Sequence, residues 1–152
     1  MPVTSRGPEG DALHRCLVVA NQTLGAPSLA DALLDRAAHG PSSFHLLVPI
    51  AHANDRPWND PAAAAETSER LQRGLAWLRD LGLEGTGEVG AHDVVNAVAA
   101  VVAREDFDEV LLSTQPPGAS RWLRWDVPRR VAAACPQVVL SHVVEAPEVA
   151  RT

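Results

Sequence analysis

Residues 108–131 read DEVLLSTQPPGASRWLRWDVPRRV, and the fold turns on how this stretch is read. Asp108–Ser113 is a short apolar run suited to a buried strand. Val127–Ala134 predicts a helix. Asp126 stands at its start, where a carboxylate can cap the orphan N–H groups and interact well with the helix dipole. Between them lie two prolines, a glycine, two hydroxyls, two tryptophans and the first two arginines of a cluster. A turn from a strand's carboxyl end into a helix is where open α/β sheets hold ligands. If this stretch is such a turn, the rest of the chain should alternate strands with amphipathic helices.

Working outward, it does. HRCLVVA (residues 14–20) is a β-branched run that stops at Asn21-Gln22-Thr23. Ser28–His39 predicts a helix, with Ser28 and Asp31 as a capping box and Leu29, Leu33 and Ala37 on one face. Gly40-Pro41 ends it. Phe44–Ile50 is a second strand, expected to stop near Val48 because Pro49 has no ladder donor. A polar loop, AHANDRPWND, carries Trp58 and leads to Asp60-Pro61, cap and first residue of a helix reaching about Leu81. Its stripe is Leu71, Leu75 and Leu78, and Gly82 closes it. Glu84–Gly90 is short and glycine-rich, as suits a sheet edge. Asp93 caps a further helix whose face is Val94, Val98, Val101 and Val102. Gln137–Val144 is the last strand. This alternation demands an open parallel sheet with helices on both faces. Residues 13–145 then form one domain, with 1–12 a loose arm and 146–152 a tail.

Composition narrows the function classes. Of 152 residues, 46% are hydrophobic and 21% charged, the globular range. The net charge of −6 argues against bulk attraction to nucleic acid or anionic membrane. The charge is uneven: residues 119–134 carry +3, from Arg121, Arg124, Arg129 and Arg130 against Asp126, which leaves −9 elsewhere. The first residues have no apolar core of the signal-peptide kind, and no run approaches the about 18 apolar residues of a membrane helix. Cys16 and Cys135 lack CxxC spacing and read as buried thiols of a cytoplasmic protein. The scattered histidines show no HExxH spacing, and no GxSxG occurs, so neither a metal centre nor a catalytic triad is expected.

Element order, loop lengths, the segment from VLLST to RV and the run RVAAACPQVVLSHV together resemble the universal stress protein family over residues 13–144. That resemblance implies a five-stranded sheet in the order 3-2-1-4-5. It also implies a crevice between the ends of strands 1 and 4, an adenine-nucleotide site such as one for ATP, and a homodimer through strand 5, Val138 to Val144. The nucleotide-binding pattern is Gly, two residues, Gly, nine residues, Gly, then Ser or Thr. Its positions here hold Leu112, Gln115, Trp125 and Asp126. Where members often carry Asp after strand 1, this chain has Ala20-Asn21. The substitutions have physical consequences. Pro116 and Pro117 remove two N–H donors from a phosphate cradle. Trp125 blocks close approach of backbone, and the Asp126 carboxylate would repel a phosphate.

The candidate crevice residues are therefore Asn21, Gln22, Thr23, Val48, Ser113, Thr114, Gly118, Ser120, Arg121, Arg124 and Asp126. Arg121 and Arg124 could bind a small anion bidentately or could simply pair with Asp126. Three readings stay open: a non-enzymatic regulatory binding module with a diverged nucleotide crevice, a nucleotide binder that uses arginines in place of glycines, and a ligand-free dimeric scaffold.

Overall fold

In the computed structural model, which describes residues 13–50, 61–116 and 121–145, the apolar runs pair into one sheet. In chain order the elements are β1 (His14–Val19), α1 (Pro27–His39), β2 (Ser42–Pro49), α2 (Pro61–Asp80), β3 (Gly85–Gly90), α3 (Val94–Arg104), β4 (Glu109–Thr114), α4 (Arg121–Arg124), α5 (Val127–Ala134) and β5 (Val139–Val144). The 5-stranded sheet has the order β3-β2-β1-β4-β5, and every pairing is parallel. This is the expected open α/β sheet, with its reversal between β1 and β4. The single-turn α4 was not expected.

Side chains alternate between the faces of a strand, so each strand feeds two cores. Cys16, Val18, Phe44, Leu46, Val48 and Leu111 meet Leu29 and Leu33 of α1 and Leu71 and Leu78 of α2. Leu17, Val19, Leu47, Val110 and Leu112 meet the valines of α3 together with Val127 and Val131 of α5. β4 is buried at every position, as the centre of a doubly covered sheet must be.

The glycines of β3 do more than mark an edge. A Cβ on Gly85 would lie 2.4 Å from Leu78 Cδ1, and one on Gly87 would lie 2.6 Å from Leu71 Cδ1. The leucine stripe of α2 therefore rests directly on strand backbone. α2 ends as its sequence dictates. Gly82 takes φ 81, Leu83 N–H donates to Leu78 O at 2.9 Å, and Gly82 N–H donates to Arg79 O at 2.9 Å. The paired bonds satisfy carbonyls that the helix would otherwise leave open.

Other boundaries moved for identifiable reasons. α1 starts at Pro27 with Ala26 in the cap position and no side-chain cap bond, so Ser28 and Asp31 form no capping box. The fixed φ of proline preorganises the first turn instead. Asp93 caps α3 as expected, accepting from Asn96 N–H at 3.3 Å. β2 continues through Pro49, because the next ladder bond is given by Ile50 N–H to Gly90 O at 3.1 Å. β5 begins at Val139 rather than Gln137. Asp60 and the Trp58 loop lie outside the described residues.

Candidate functional site

The chain leaves β1 toward β2 and leaves β4 toward β5, so the carboxyl ends of these adjacent strands diverge and frame a crevice. Its floor is a hydroxyl pair. Thr23 Oγ1 and Ser113 Oγ are 2.6 Å apart, and both residues are buried. They stitch the β1–α1 turn to the end of β4. Thr114, pointing to the opposite face, bonds His142 Nε2 at 2.9 Å. Partial burial pulls the His142 pKa down, which favours the neutral ring. Gln22 is exposed at the rim, whereas Val48 is fully buried in the core beneath α1 and α2.

Asn21 is buried and fixed at both ends of its amide. Nδ2 donates to Pro49 O at 2.6 Å, and Oδ1 accepts from Arg70 Nη1. Sequence reasoning missed Arg70. The signal lay one turn further along α2, at Gly74, where a Cβ would meet Leu46 Cδ1 at 3.1 Å and Leu24 Cδ1 at 3.2 Å. The missing side chain lets α2 settle close to the β1–α1 turn, and this carries Arg70 to Asn21.

On the far side of the crevice, Asp126 occupies the cap position of α5 but does not cap it. Its backbone is left-handed, φ 58 and ψ 37, and it makes no side-chain cap bond. A capping side chain serves the second or third helical N–H from an extended backbone. Here the second helical residue is Pro128, which has no N–H, and the backbone is not extended. The carboxylate instead accepts from Arg129 Nε at 2.7 Å. Trp122 packs against the α3/α5 core, while Trp125 is 45% exposed. Arg121 and Arg124 stand on α4. Their side chains, with Pro117, Gly118 and Ser120, lie outside the described residues.

A second polar cluster sits at the other end of β4. Glu109 is only 5% exposed. It takes a bidentate grip from Arg36, with Nη2 to Oε2 at 2.7 Å and Nε to Oε1 at 3.0 Å, and a contact from His14 Nε2 at 2.8 Å. Burial alone would raise its pKa, but hydrogen bonds from Arg36, Ser141 and His14 hold it at about 2. The neighbouring Cys16 thiol is pushed well above its ordinary value by burial and by that carboxylate.

These groups brace one another. Ser113 is paired with a hydroxyl and not with a base. Both cysteines are buried and free. Among the described residues no three histidine, cysteine or acidic side chains gather as a metal site, and no helix is long and apolar enough to cross a membrane.

No protein-family model and no curated protein matches the sequence. Solved structures do match the fold. A universal stress protein from Archaeoglobus fulgidus aligns over 88% of this chain and 96% of its own, with TM-score 0.63 and 12% identity. The Archaeoglobus fulgidus universal stress protein in complex with dAMP aligns over 87% and 98%, with TM-score 0.63 and 11% identity. A universal stress protein family protein from Arabidopsis thaliana with AMP bound aligns over 91% and 97%, with TM-score 0.55 and 10% identity. The chain has the universal stress protein fold.

Proposed function

We propose that the protein is a non-enzymatic regulatory binding module of the universal stress protein type, with a diverged crevice that takes a nucleoside monophosphate rather than a triphosphate. The observation that carries this reading is the state of the β4–α5 side. Pro116 and Pro128 lack N–H groups, and the Asp126 carboxylate stands at the start of α5, where a phosphate cradle needs free donors and positive potential. The β1 side keeps buried neutral groups and Arg70. Neighbours of the same fold hold dAMP and AMP, which makes the adenylates the natural probes. Free, buried thiols fit a reducing compartment, and we place the module in the cytoplasm. We further propose that it pairs with a second copy through β5, whose outer edge has no strand against it among the described residues.

Calorimetry with AMP and with magnesium ATP tests the ligand class. AMP should bind at least roughly tenfold more tightly, a difference of about 1.4 kcal/mol, and no phosphate should be released from ATP over hours. Micromolar magnesium ATP binding equal to that of AMP, or steady hydrolysis, would overturn the reading.

A further inference from the structure

Asn21 does more than close a turn, because its amide can face only one way. Pro49 O accepts and cannot donate, so the NH2 group must point toward it, at 2.6 Å. Oδ1 is thereby aimed outward, and it receives Arg70 Nη1. The amide works as a fixed anchor that orients a guanidinium at the carboxyl edge of β1 and β2.

The anchor is neutral, and this separates Arg70 from several other arginines of the fold. Arg15, Arg36, Arg104 and Arg129 each rest on a carboxylate. Among the described residues one of Arg70's several N–H donors goes to an amide oxygen and none to a carboxylate, so no described acid offsets its charge. The opposite wall of the crevice ends in the Asp126 carboxylate, and the floor between them is a hydroxyl pair.

We propose that Arg70 is the anion-binding residue of the crevice, receiving the phosphate of a mononucleotide on the β1–β2 side and not at the β4–α5 turn. This rests on the monophosphate reading above and adds its polarity. The phosphoryl oxygens would accept two parallel N–H bonds from the guanidinium, with Asn21 setting its plane.

The test compares AMP with adenosine by calorimetry on the full chain, for wild type, Arg70→Ala and Arg70→Lys. Wild type should prefer AMP by roughly tenfold to a hundredfold, the usual worth of charge-assisted hydrogen bonds. Arg70→Ala should reduce that preference to near unity while leaving adenosine affinity in place. Arg70→Lys should recover part of it through charge without the fork. If Arg70→Ala proves unfolded by its melting curve, Arg70→Gln, which keeps an N–H donor and loses the charge, decides in its place. A wild-type preference for AMP that survives both neutral variants would overturn the role of Arg70 and leave the monophosphate reading standing. Equal binding of AMP and adenosine by wild type would overturn the role as well. Binding of neither would bring down both.

Discussion

At the amino end of β4 the protein buries a full negative charge, Glu109, and surrounds it with Arg36, His14 and Ser141. At the carboxyl end of the same strand the buried polar groups are hydroxyls, and each is content with a single neutral partner. The difference follows from what each end must do. A buried charge is tolerable only when it is tightly and permanently paired. Such a cluster locks α1, β1 and β5 to β4, and it leaves nothing over for a ligand. Hydroxyl pairs cost less to hold and less to rearrange, and they carry no charge that would dominate a binding crevice. One end of the strand is built for architecture, and the other is the end that the proposed function assigns to recognition.

The largest effect should come from breaking the charged end. Glu109→Ala leaves the Arg36 guanidinium without its carboxylate and should cost about 3 kcal/mol, at the low end for a broken buried pair because Arg36 keeps some contact with water. Replacing both residues by leucine should recover most of that loss. Acid gives an independent reading. The Glu109 pKa is held at about 2, below its ordinary 4.5, so the folded state binds its proton more weakly than the unfolded chain does. Its stabilisation is therefore complete above about pH 4.5 and is lost as pH falls toward 2. Urea midpoints of wild type should drop through that window, and those of Glu109→Gln should drop less. Identical acid profiles would show that the cluster contributes nothing measurable.

The neutral end should answer more weakly. Ser113→Ala leaves the Thr23 hydroxyl buried with its partner gone, and should cost about 1–2 kcal/mol. Thr23→Val should cost a similar amount. The double variant should cost less than the two together, because no orphaned hydroxyl remains, and the coupling should be about 1 kcal/mol in a denaturation cycle. Strict additivity would mean that the 2.6 Å contact does not hold the floor of the crevice. A loss as large as that of Glu109→Ala would erase the contrast between the two ends.

The parts of this arrangement that the sequence discloses are those carried by local periodicity. Strand positions and helix faces follow from apolar spacing in HRCLVVA or in Leu71, Leu75 and Leu78, since each element shows its buried side within a few residues, whereas the strand order is implied by the family resemblance. Features that depend on two distant elements stay hidden. Glu109 reads as part of an apolar run, and nothing local announces that Arg36 and His14 will converge on it. Arg70 sits beside the α2 stripe as one more surface arginine until the close approach at Gly74 delivers it to Asn21. Asp126 misleads in the other direction. Its position at a helix start is legible, but the cap fails because Pro128 has no N–H and the backbone turns left-handed. The reversal of strand order falls between β1 and β4 as expected, while Arg70, on α2, stands outside the candidate set.

The smallest effect on stability should be found at the outer edge, and it should come with a large change in assembly. Val139 is 65% exposed and Val144 41%, on a strand that carries no proline or lysine and that, among the described residues, bonds β4 alone. Such an edge is a template for another strand unless charge blunts it. Val139→Lys adds that charge at a position already facing water, so unfolding free energy should change by less than about 0.5 kcal/mol. If two copies pair along Val138–Val144, light scattering at micromolar concentration should report a dimer for wild type and a monomer for the variant. Val139 lies at the amino end of β5, away from the crevice, so AMP affinity should be the same in both. A wild-type monomer, or a Val139→Lys dimer, would remove the edge from the account. A monomer that lost AMP binding would instead mean that the second copy supports the crevice, and the separation of architecture from recognition along β4 would have to be redrawn across the pair.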